Sequence, residues 1–245
     1  GPPGPYGENN NGLTFNGVLM NSSGKSQIGV LILGADSAGD LNDVRNKIAQ
    51  FSFITKADIF DASSGTPTLA QLQNYDAVIT WSNNCYANSV AIGNVLADYI
   101  DNGGGVVVGV FSYHTGCNQI QGRFLTGNYY VIPAGSSSTG GSSSFIIRQP
   151  GHPILDGFSS ISTGSFRANS VNVVAGSQRV LDWGDGRVLV ATREIGQGKT
   201  VGLGFFPPST DVQGSSWSSA TDGGILMANS LLFAAGSDSF SADIP

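Results

Sequence analysis

Charge is scarce in this chain of 245 residues, in which Asp, Glu, Lys and Arg together make up only 11%. Soluble proteins average about 25%. Lys and Arg number 11 and the net charge is −6, so the chain has few cations with which to neutralise nucleic-acid phosphates or to bind an anionic membrane surface. No apolar run approaches the roughly 20 residues needed to cross a bilayer. We therefore expect neither nucleic-acid binding nor membrane insertion.

Cysteine is nearly absent too, and Cys85 and Cys117 both fall in loops that follow predicted strands. In an oxidising compartment they can pair, whereas in a reducing one they would remain thiols. We expect the disulfide, which would contribute roughly 3–4 kcal/mol by closing the loop between the two residues. Polarity comes mainly from Ser, Thr, Asn and Gly, a composition associated with secreted and cell-surface proteins. Asn21 begins an N-glycosylation sequon that only a eukaryotic secretory route would use.

Apolar runs of strand length alternate with helical patterns through the first half of the chain. The alternation begins at Gln27–Leu33, and further strand-like runs follow at Phe53–Phe60, Ala77–Trp81 and Val106–Val110. Apolar residues between these runs recur at helical spacing. Four such alternations predict a parallel sheet with helices on both faces.

The second half of the chain has a different pattern. Residues 134–144 are almost entirely Ser, Thr and Gly and predict an exposed, polar connection. Short β-like runs follow, two of them joined by the turn residues Asp185 and Gly186, which predict a hairpin. An apolar helix is predicted to close the fold at residues 223–235.

These patterns predict an α/β protein with a flavodoxin-like parallel sheet flanked by helices and an added β-rich segment in the second half. We assign a single domain to residues 26–237. Residues 1–25, which are rich in Gly, Pro and Asn, are predicted to be a linker or N-terminal extension, and residues 238–245 a C-terminal tail.

Two segments resemble the signature segments of the class I glutamine amidotransferase-like superfamily. Val106–Val110 runs into the turn Phe111–His114, where that superfamily has a G-x-C-x-G elbow with a nucleophilic Cys, and Gly202–Pro208 resembles the later run that carries its His and Glu. In this chain the positions of that Cys, His and Glu are occupied by Phe111, Phe206 and Pro208. Neither Phe nor Pro can attack a carbonyl or accept a proton. The resemblance therefore implies an enzyme fold without the chemistry best known for it.

Further segments resemble the ThuA-like branch of the same superfamily. They are the strand starts at Asn102–Val107 and Gly196–Val201, an H-P-I segment within Gly151–Phe158, and a closing helix at Asp222–Leu232. Together the similar segments cover residues 27–236. Their order and spacing imply the fold much more than any function.

Polar side chains follow the first, third and fourth predicted strands, and the loops that carry them are expected to converge at one crevice. Their residue types suit a hydroxyl-rich ligand such as a sugar, and ordinary polar loops are the alternative interpretation. The candidate residues are Asp36, Ser37, Ser82, Asn83, Asn84, Ser112, Tyr113 and His114. Ser112 is not in a G-x-S-x-G motif, so we expect it to bond local backbone rather than to act as a nucleophile.

Nothing in the sequence predicts a metal or a cofactor. His114 and His152 have no partner His, Cys, Asp or Glu at the spacing of a metal site, and we expect His152 to pin a turn. The segment Gly34–Gly39 does not match the dinucleotide motif G-x-G-x-x-G.

Three functions are compatible with these features. The first is a non-catalytic, secreted extracellular or cell-surface module, structural, adhesive or glycan-binding, whose partners are glycans or neighbouring surface or matrix proteins. The second is a hydrolase or other sugar-active enzyme with a non-standard site near Asp36, Ser112 and His114. The third is a structural protein that self-assembles through a flat Ser/Gly surface. The replaced triad positions favour the first, a pseudoenzyme.

Overall fold

The computed structural model describes residues 26–236. The predicted linker with Asn21 and the predicted C-terminal tail lie outside this range. In chain order, the elements are β1 (Ile28–Ala35), α1 (Ala38–Ala49), β2 (Ile54–Ile59), α2 (Leu69–Leu72), β3 (Ala77–Ser82), α3 (Ser89–Asp101), β4 (Gly105–Val108), α4 (Gly122–Thr126), β5 (Ser138–Ser142), β6 (Phe145–Ile147), β7 (Thr163–Ala168), β8 (Gln178–Trp183), β9 (Val188–Ile195), β10 (Gly198–Leu203) and α5 (Gly223–Ala234).

Eight strands form one mixed sheet in the order β2-β1-β3-β4-β10-β9-β8-β6. The first five strands of that order are parallel, which is the flavodoxin-like arrangement. Strands β9, β8 and β6 extend the sheet with antiparallel pairing, while β5 and β7 pair separately as a two-stranded ribbon. The fold is therefore α/β with a flavodoxin-like core and an added β-rich segment in the second half, as the sequence predicts.

Strand β1 illustrates why the apolar runs form the centre of the sheet. Leu31, Ile32 and Leu33 are consecutive, and each is at most 3% exposed. A strand covered on both faces needs no alternation between apolar and polar residues. The cover comes from two groups of helices, because α1 packs against α5 while α3 packs against α2 and α4.

Helix ends in the parallel half follow local sequence signals. Ser37 caps α1 by accepting a hydrogen bond from the backbone N–H of Asp40, and Asn88 caps α3 by accepting one from Ala91. Gly103 follows α3 with φ +94°, a conformation that glycine adopts without a steric penalty. His152 pins its turn, as expected, because its Nδ1 accepts from the N–H of Ile154 at 3.1 Å.

The polar stretch at residues 134–144 is not entirely a connection, since β5 forms within it. Its pairing with β7 uses backbone groups, which need no core-forming side chains. Gly141 allows the close approach, because a Cβ there would lie 2.5 Å from the carbonyl oxygen of Thr163. The predicted hairpin at Asp185 and Gly186 is present between β8 and β9.

Candidate functional site

The loops after β1, β3 and β4 lie at one edge of the parallel sheet, where the sequence predicts a crevice. The eight candidate residues differ in exposure. Ser37, Asn83 and Asn84 are exposed and His114 is half-buried. The other four are at most 3% exposed, namely Asp36, Ser82, Ser112 and Tyr113. Half of the candidate set therefore lies beneath the surface of this edge.

Asp36 braces two of these loops from beneath. Its Oδ2 accepts a hydrogen bond from Nε1 of Trp81 at 2.9 Å. Its Oδ1 accepts from the backbone N–H of Ser37 at 2.8 Å and from Nδ2 of Asn83 at 3.2 Å. Three donors thus satisfy a carboxylate that is 3% exposed, as a buried charged group requires.

Ser112 belongs to a buried chain of hydroxyl groups. Thr80 Oγ1 donates to the carbonyl oxygen of Leu33 at 2.7 Å, and Tyr86 lies between Thr80 (2.8 Å) and Ser112 (2.7 Å). Because a hydroxyl donates one proton, Tyr86 donates to Thr80 and Ser112 donates to Tyr86. Burial raises the pKa of Tyr86 to about 12. The proton of Ser112 is therefore held by a neutral phenol, which is not a general base. Ser112 was expected to bond local backbone, but its hydroxyl bonds the side chain of Tyr86.

Ser82 and Tyr113 direct their hydroxyl groups at backbone instead. Ser82 Oγ donates to the carbonyl oxygen of Asn118 at 2.7 Å. The hydroxyl of Tyr113 lies 2.6 Å from the carbonyl oxygen of Val108 and 3.1 Å from that of Leu203. Burial raises the pKa of Tyr113 well above its usual value. Tyr113 consequently joins the ends of β4 and β10.

Aromatic rings fill the space beside the turn after β4. The ring of Phe111 lies 5.0 Å from that of His114, 5.3 Å from that of Phe206 and 5.4 Å from that of Phe166. Phe166 and Phe206 are 5.7 Å apart, so these four residues form one aromatic cluster. The distances between the ring centroids and the tilted or edge-on ring orientations are those that aromatic pairs prefer.

Two members of the aromatic cluster have unusual environments. Phe166 has φ +67°, a backbone conformation that bulky side chains rarely adopt. Burial lowers the pKa of His114, and its Nε2 is buried with no hydrogen-bond partner in the part of the chain that the structure describes. The imidazole is therefore neutral at physiological pH, which leaves that nitrogen available as an acceptor or a donor depending on its tautomer.

The expected disulfide is present and joins Cys85 to Cys117, with Cα atoms 4.8 Å apart. It connects the loop after β3 to the loop after β4. Hydrogen bonds reinforce the connection, because the carbonyl oxygen of Cys117 accepts from the N–H of Tyr86 and from Oγ of Ser89, both at 3.0 Å. The two loops are consequently held in one arrangement.

Sequence reasoning missed a buried carboxylate pair on α1. Asp40 is 2% exposed, and both its oxygens accept from Nε2 of Gln213, at 3.1 and 2.9 Å. Asp43 accepts from the N–H of Ser209 at 2.7 Å and from Lys47 at 3.2 Å. Burial raises the pKa of Asp40 to about 7, and both the hydrogen bond to Asp36 and the negative charge of Asp36 contribute to this rise. The four-residue spacing of Asp43 and Lys47 was the available signal.

Candidate metal sites and membrane-spanning helices are both absent from residues 26–236. No group of three or more His, Cys, Asp or Glu residues there could hold a metal ion. Among the helices in the same range, none is long and apolar enough to cross a membrane.

No family model and no curated protein sequence matches the chain. Solved structures do resemble it. A ThuA-like protein from Parabacteroides merdae has a TM-score of 0.56 at 13% identity, covering 85% of this chain and 90% of that one. A ThuA-like protein from Bacteroides uniformis has the same TM-score and identity, with 86% and 91% covered. A cytoplasmic protein from Salmonella typhimurium LT2 has a TM-score of 0.54 at 15% identity, with 84% and 99% covered.

Identities this low show the fold and not the function. The fold of this chain is ThuA-like, in agreement with the resemblance of its sequence segments.

Proposed function

We propose that this chain is a non-catalytic extracellular or cell-surface module, a pseudoenzyme on an amidotransferase-like fold that acts by binding. The observation that carries the proposal is the aromatic cluster. Phe111 and Phe206, at the positions that the resemblance assigns to the nucleophile and its base, contact each other with ring centroids 5.3 Å apart. Phe166 packs against both. Rings therefore occupy the space in which a substrate and a catalytic pair would meet.

Ser112 and Asp36, two polar residues at this edge, do not supply a substitute nucleophile and base. Nucleophilic catalysis needs a hydroxyl or thiol within reach of a base. The hydroxyl of Ser112 donates to the phenol of Tyr86 at 2.7 Å, and Asp36 already accepts three hydrogen bonds. Both residues are at most 3% exposed, so a substrate could reach neither without rearrangement of the loops.

The disulfide and the composition support an extracellular location. Disulfides persist in oxidising compartments and are rare in the cytosol. Few Lys and Glu residues together with many Ser, Thr, Asn and Gly residues accord with the same location. The partners we propose are glycans or neighbouring surface proteins.

One observation favours the second candidate, a hydrolase or sugar-active enzyme near Asp36, Ser112 and His114. His114 is neutral and its Nε2 has no partner among the described residues, and an imidazole in that state can act as a general base. Self-association, the third candidate, is tested directly by light scattering on a size-exclusion column.

Turnover assays separate the first two candidates. The full-length chain would be assayed with chromogenic esters, chromogenic glycosides and glutamine, beside His114→Ala and Asp36→Asn variants. We expect no rate above buffer for any of the three proteins. A rate that disappears in His114→Ala would refute the non-catalytic proposal and support the enzyme.

A further inference from the structure

A cleft of about 430 Å³ lies between the β5–β7 ribbon and the loop that precedes α5. It shares no lining residue with the aromatic cluster, although Phe166 of that cluster lies on β7, the strand that also carries the lining residues Thr163 and Gly164. Its volume falls within the usual range for small-molecule sites, about 300–1,000 Å³. The residues that line this hydroxyl-lined cleft are Ser142, Ser143, Ser162, Thr163, Gly164, Thr210, Gly214, Ser216 and Ser218.

Backbone hydrogen bonds fix the two walls of the hydroxyl-lined cleft. The N–H of Ser218 donates to the carbonyl oxygen of Ser162 at 2.8 Å, and the N–H of Gly164 donates to that of Ser216 at 3.3 Å. Between them in the chain, Trp217 is 1% exposed and its Nε1 donates to the carbonyl oxygen of Pro207 at 2.7 Å. A site that is already in place avoids much of the entropy cost of ordering loops on binding.

The lining restricts the chemistry of the ligand. Every lining residue is Ser, Thr or Gly, so no charged side chain is present to pair with an ionic ligand. Ser142, Thr163 and Thr210 already use their hydroxyl groups in local hydrogen bonds. The more exposed hydroxyl groups of Ser143 and Ser162 can donate and accept hydrogen bonds, which matches a ligand that does both.

Ser216 adds a second observation. It is 2% exposed, and its Oγ has no hydrogen-bond partner among residues 26–236. Buried polar atoms without partners are rare in native proteins and call for an explanation. Ser216 lines the cleft, so a small movement of its side chain would bring this Oγ to the cleft, where a bound group could complete its hydrogen bonding.

We propose that the hydroxyl-lined cleft binds a neutral oligosaccharide. Such a ligand carries many hydroxyl groups and no charge, as the lining requires. A peptide fits less well, because peptide recognition relies on pockets for apolar or charged side chains. The inference rests on the proposed non-catalytic binding function and assigns its site to the β-rich segment rather than to the predicted crevice.

Gly214 offers a variant that obstructs the cleft. A Cβ at Gly214 would have no atom within 4 Å, so the side chain of Gly214→Gln begins in open space at the lining without a clash. Gly39 in α1 has the same freedom and lies outside the cleft, which makes Gly39→Gln the matched control. Thermal melts of both variants would establish that each remains folded.

The probes are maltohexaose, cellohexaose, xylohexaose and chitohexaose, titrated calorimetrically into the full-length chain. Oligogalacturonate and a Ser/Gly-rich peptide serve as acidic and peptide counterparts. We expect at least one neutral oligosaccharide to bind and Gly214→Gln to raise its Kd about ten-fold or more, whereas Gly39→Gln leaves it within about two-fold. Ser143→Ala and Ser162→Ala each remove one lining hydroxyl and should raise Kd about five-fold.

Several outcomes would overturn the proposal. They are no binding by any neutral probe, preference for oligogalacturonate or the peptide, and binding that Gly214→Gln leaves unchanged. Binding that is lost in Phe111→Ala but retained in Gly214→Gln would place the ligand in the predicted crevice and leave the proposed function intact. Hydrolysis of a bound probe would refute the proposed non-catalytic function, while the Gly214 comparison would still decide where the probe binds.

Discussion

The aromatic cluster and the hydroxyl-lined cleft differ in how their polar groups are used. At the first, rings fill the space and the nearby polar residues Asp36 and Ser112 bond inside the protein. At the second, seven Ser or Thr residues and two glycines line an open space. Ser142 and Thr163 bond nearby backbone there, but Ser216 has no hydrogen-bond partner among the described residues. The difference teaches that a loop's position at the carboxyl end of a parallel strand does not by itself make it a binding site. Free hydrogen-bonding capacity and space are also needed.

Truncating the aromatic cluster should have the largest effect. Phe206 is 3% exposed and contacts Phe111 and Phe166, so Phe206→Ala should lower the free energy of unfolding by about 3–5 kcal/mol. Ser143→Ala at the exposed cleft should change it by less than about 0.5 kcal/mol. Chemical denaturation measures both. Equal effects of the two variants would contradict the division into a packed and an open region.

Removing the disulfide should have the next largest effect. Residues 85 and 117 are separated by 32 positions, and closing a loop of that size contributes roughly 3–4 kcal/mol. Cys85→Ser with Cys117→Ser should therefore lower stability by about that amount while leaving oligosaccharide affinity unchanged, because the bond lies among the crevice loops. Denaturation and titration test the two parts. A matching loss of affinity would show that the two regions are coupled.

The protonation of Asp40 should link stability to pH. Its pKa rises from 3.8 to about 7 on folding, so between these values the folded state binds more protons than the unfolded state. Stability is therefore lost as pH rises from 4 to 7, by about 3 kcal/mol. Asp40→Asn, which mimics the protonated form, should remove this loss.

Asp40 also connects α1 to the wall of the hydroxyl-lined cleft. Asp40 holds Gln213, which immediately precedes Gly214 in the wall of the hydroxyl-lined cleft. Denaturation profiles at several pH values measure the stability change. A wild-type profile in which stability rises across this window would contradict the assignment of the raised pKa.

The smallest expected effect on stability is the difference between alanine substitutions at two buried serines, Ser112 and Ser216. Ser112→Ala removes a hydrogen bond to Tyr86 and should cost about 1 kcal/mol. Ser216→Ala removes a hydroxyl with no partner among the described residues, so it should be neutral or slightly stabilising. Thermal and chemical denaturation compare the pair. A larger loss for Ser216 would indicate that its hydroxyl already has a structural partner, such as water.

Local sequence signals predicted the parallel half of the fold because its strands depend on near neighbours. The run Leu31–Leu33 is evident without tertiary context, and the cysteine pairing followed from the placement of the two loops. Strand β5 was not predicted, since its Ser and Gly residues carry no apolar pattern and it forms only by pairing with β7. The same long-range pairing creates the hydroxyl-lined cleft, so no local motif reveals it.

The predicted crevice shows a second limit of sequence reasoning. Loop positions after β1, β3 and β4 were predicted from the strand pattern, and the structure places those loops at one edge. Burial of Asp36 and Ser112 depends on Trp81 and Tyr86, and their packing is set by tertiary contacts. Phe166 joins the aromatic cluster from β7, which is distant in the sequence. The residues around position 166 give no indication of this contact.

The positive φ of Phe166 has a consequence for protein engineering. A left-handed backbone conformation costs an L-residue roughly 1–2 kcal/mol but costs glycine almost nothing. Phe166→Gly would remove one ring from the aromatic cluster and relieve that penalty at the same time, so part of the lost packing would be offset. A cavity beside residue 111 can therefore be opened at this position with a smaller loss of stability, and a designer could introduce a nucleophile into it.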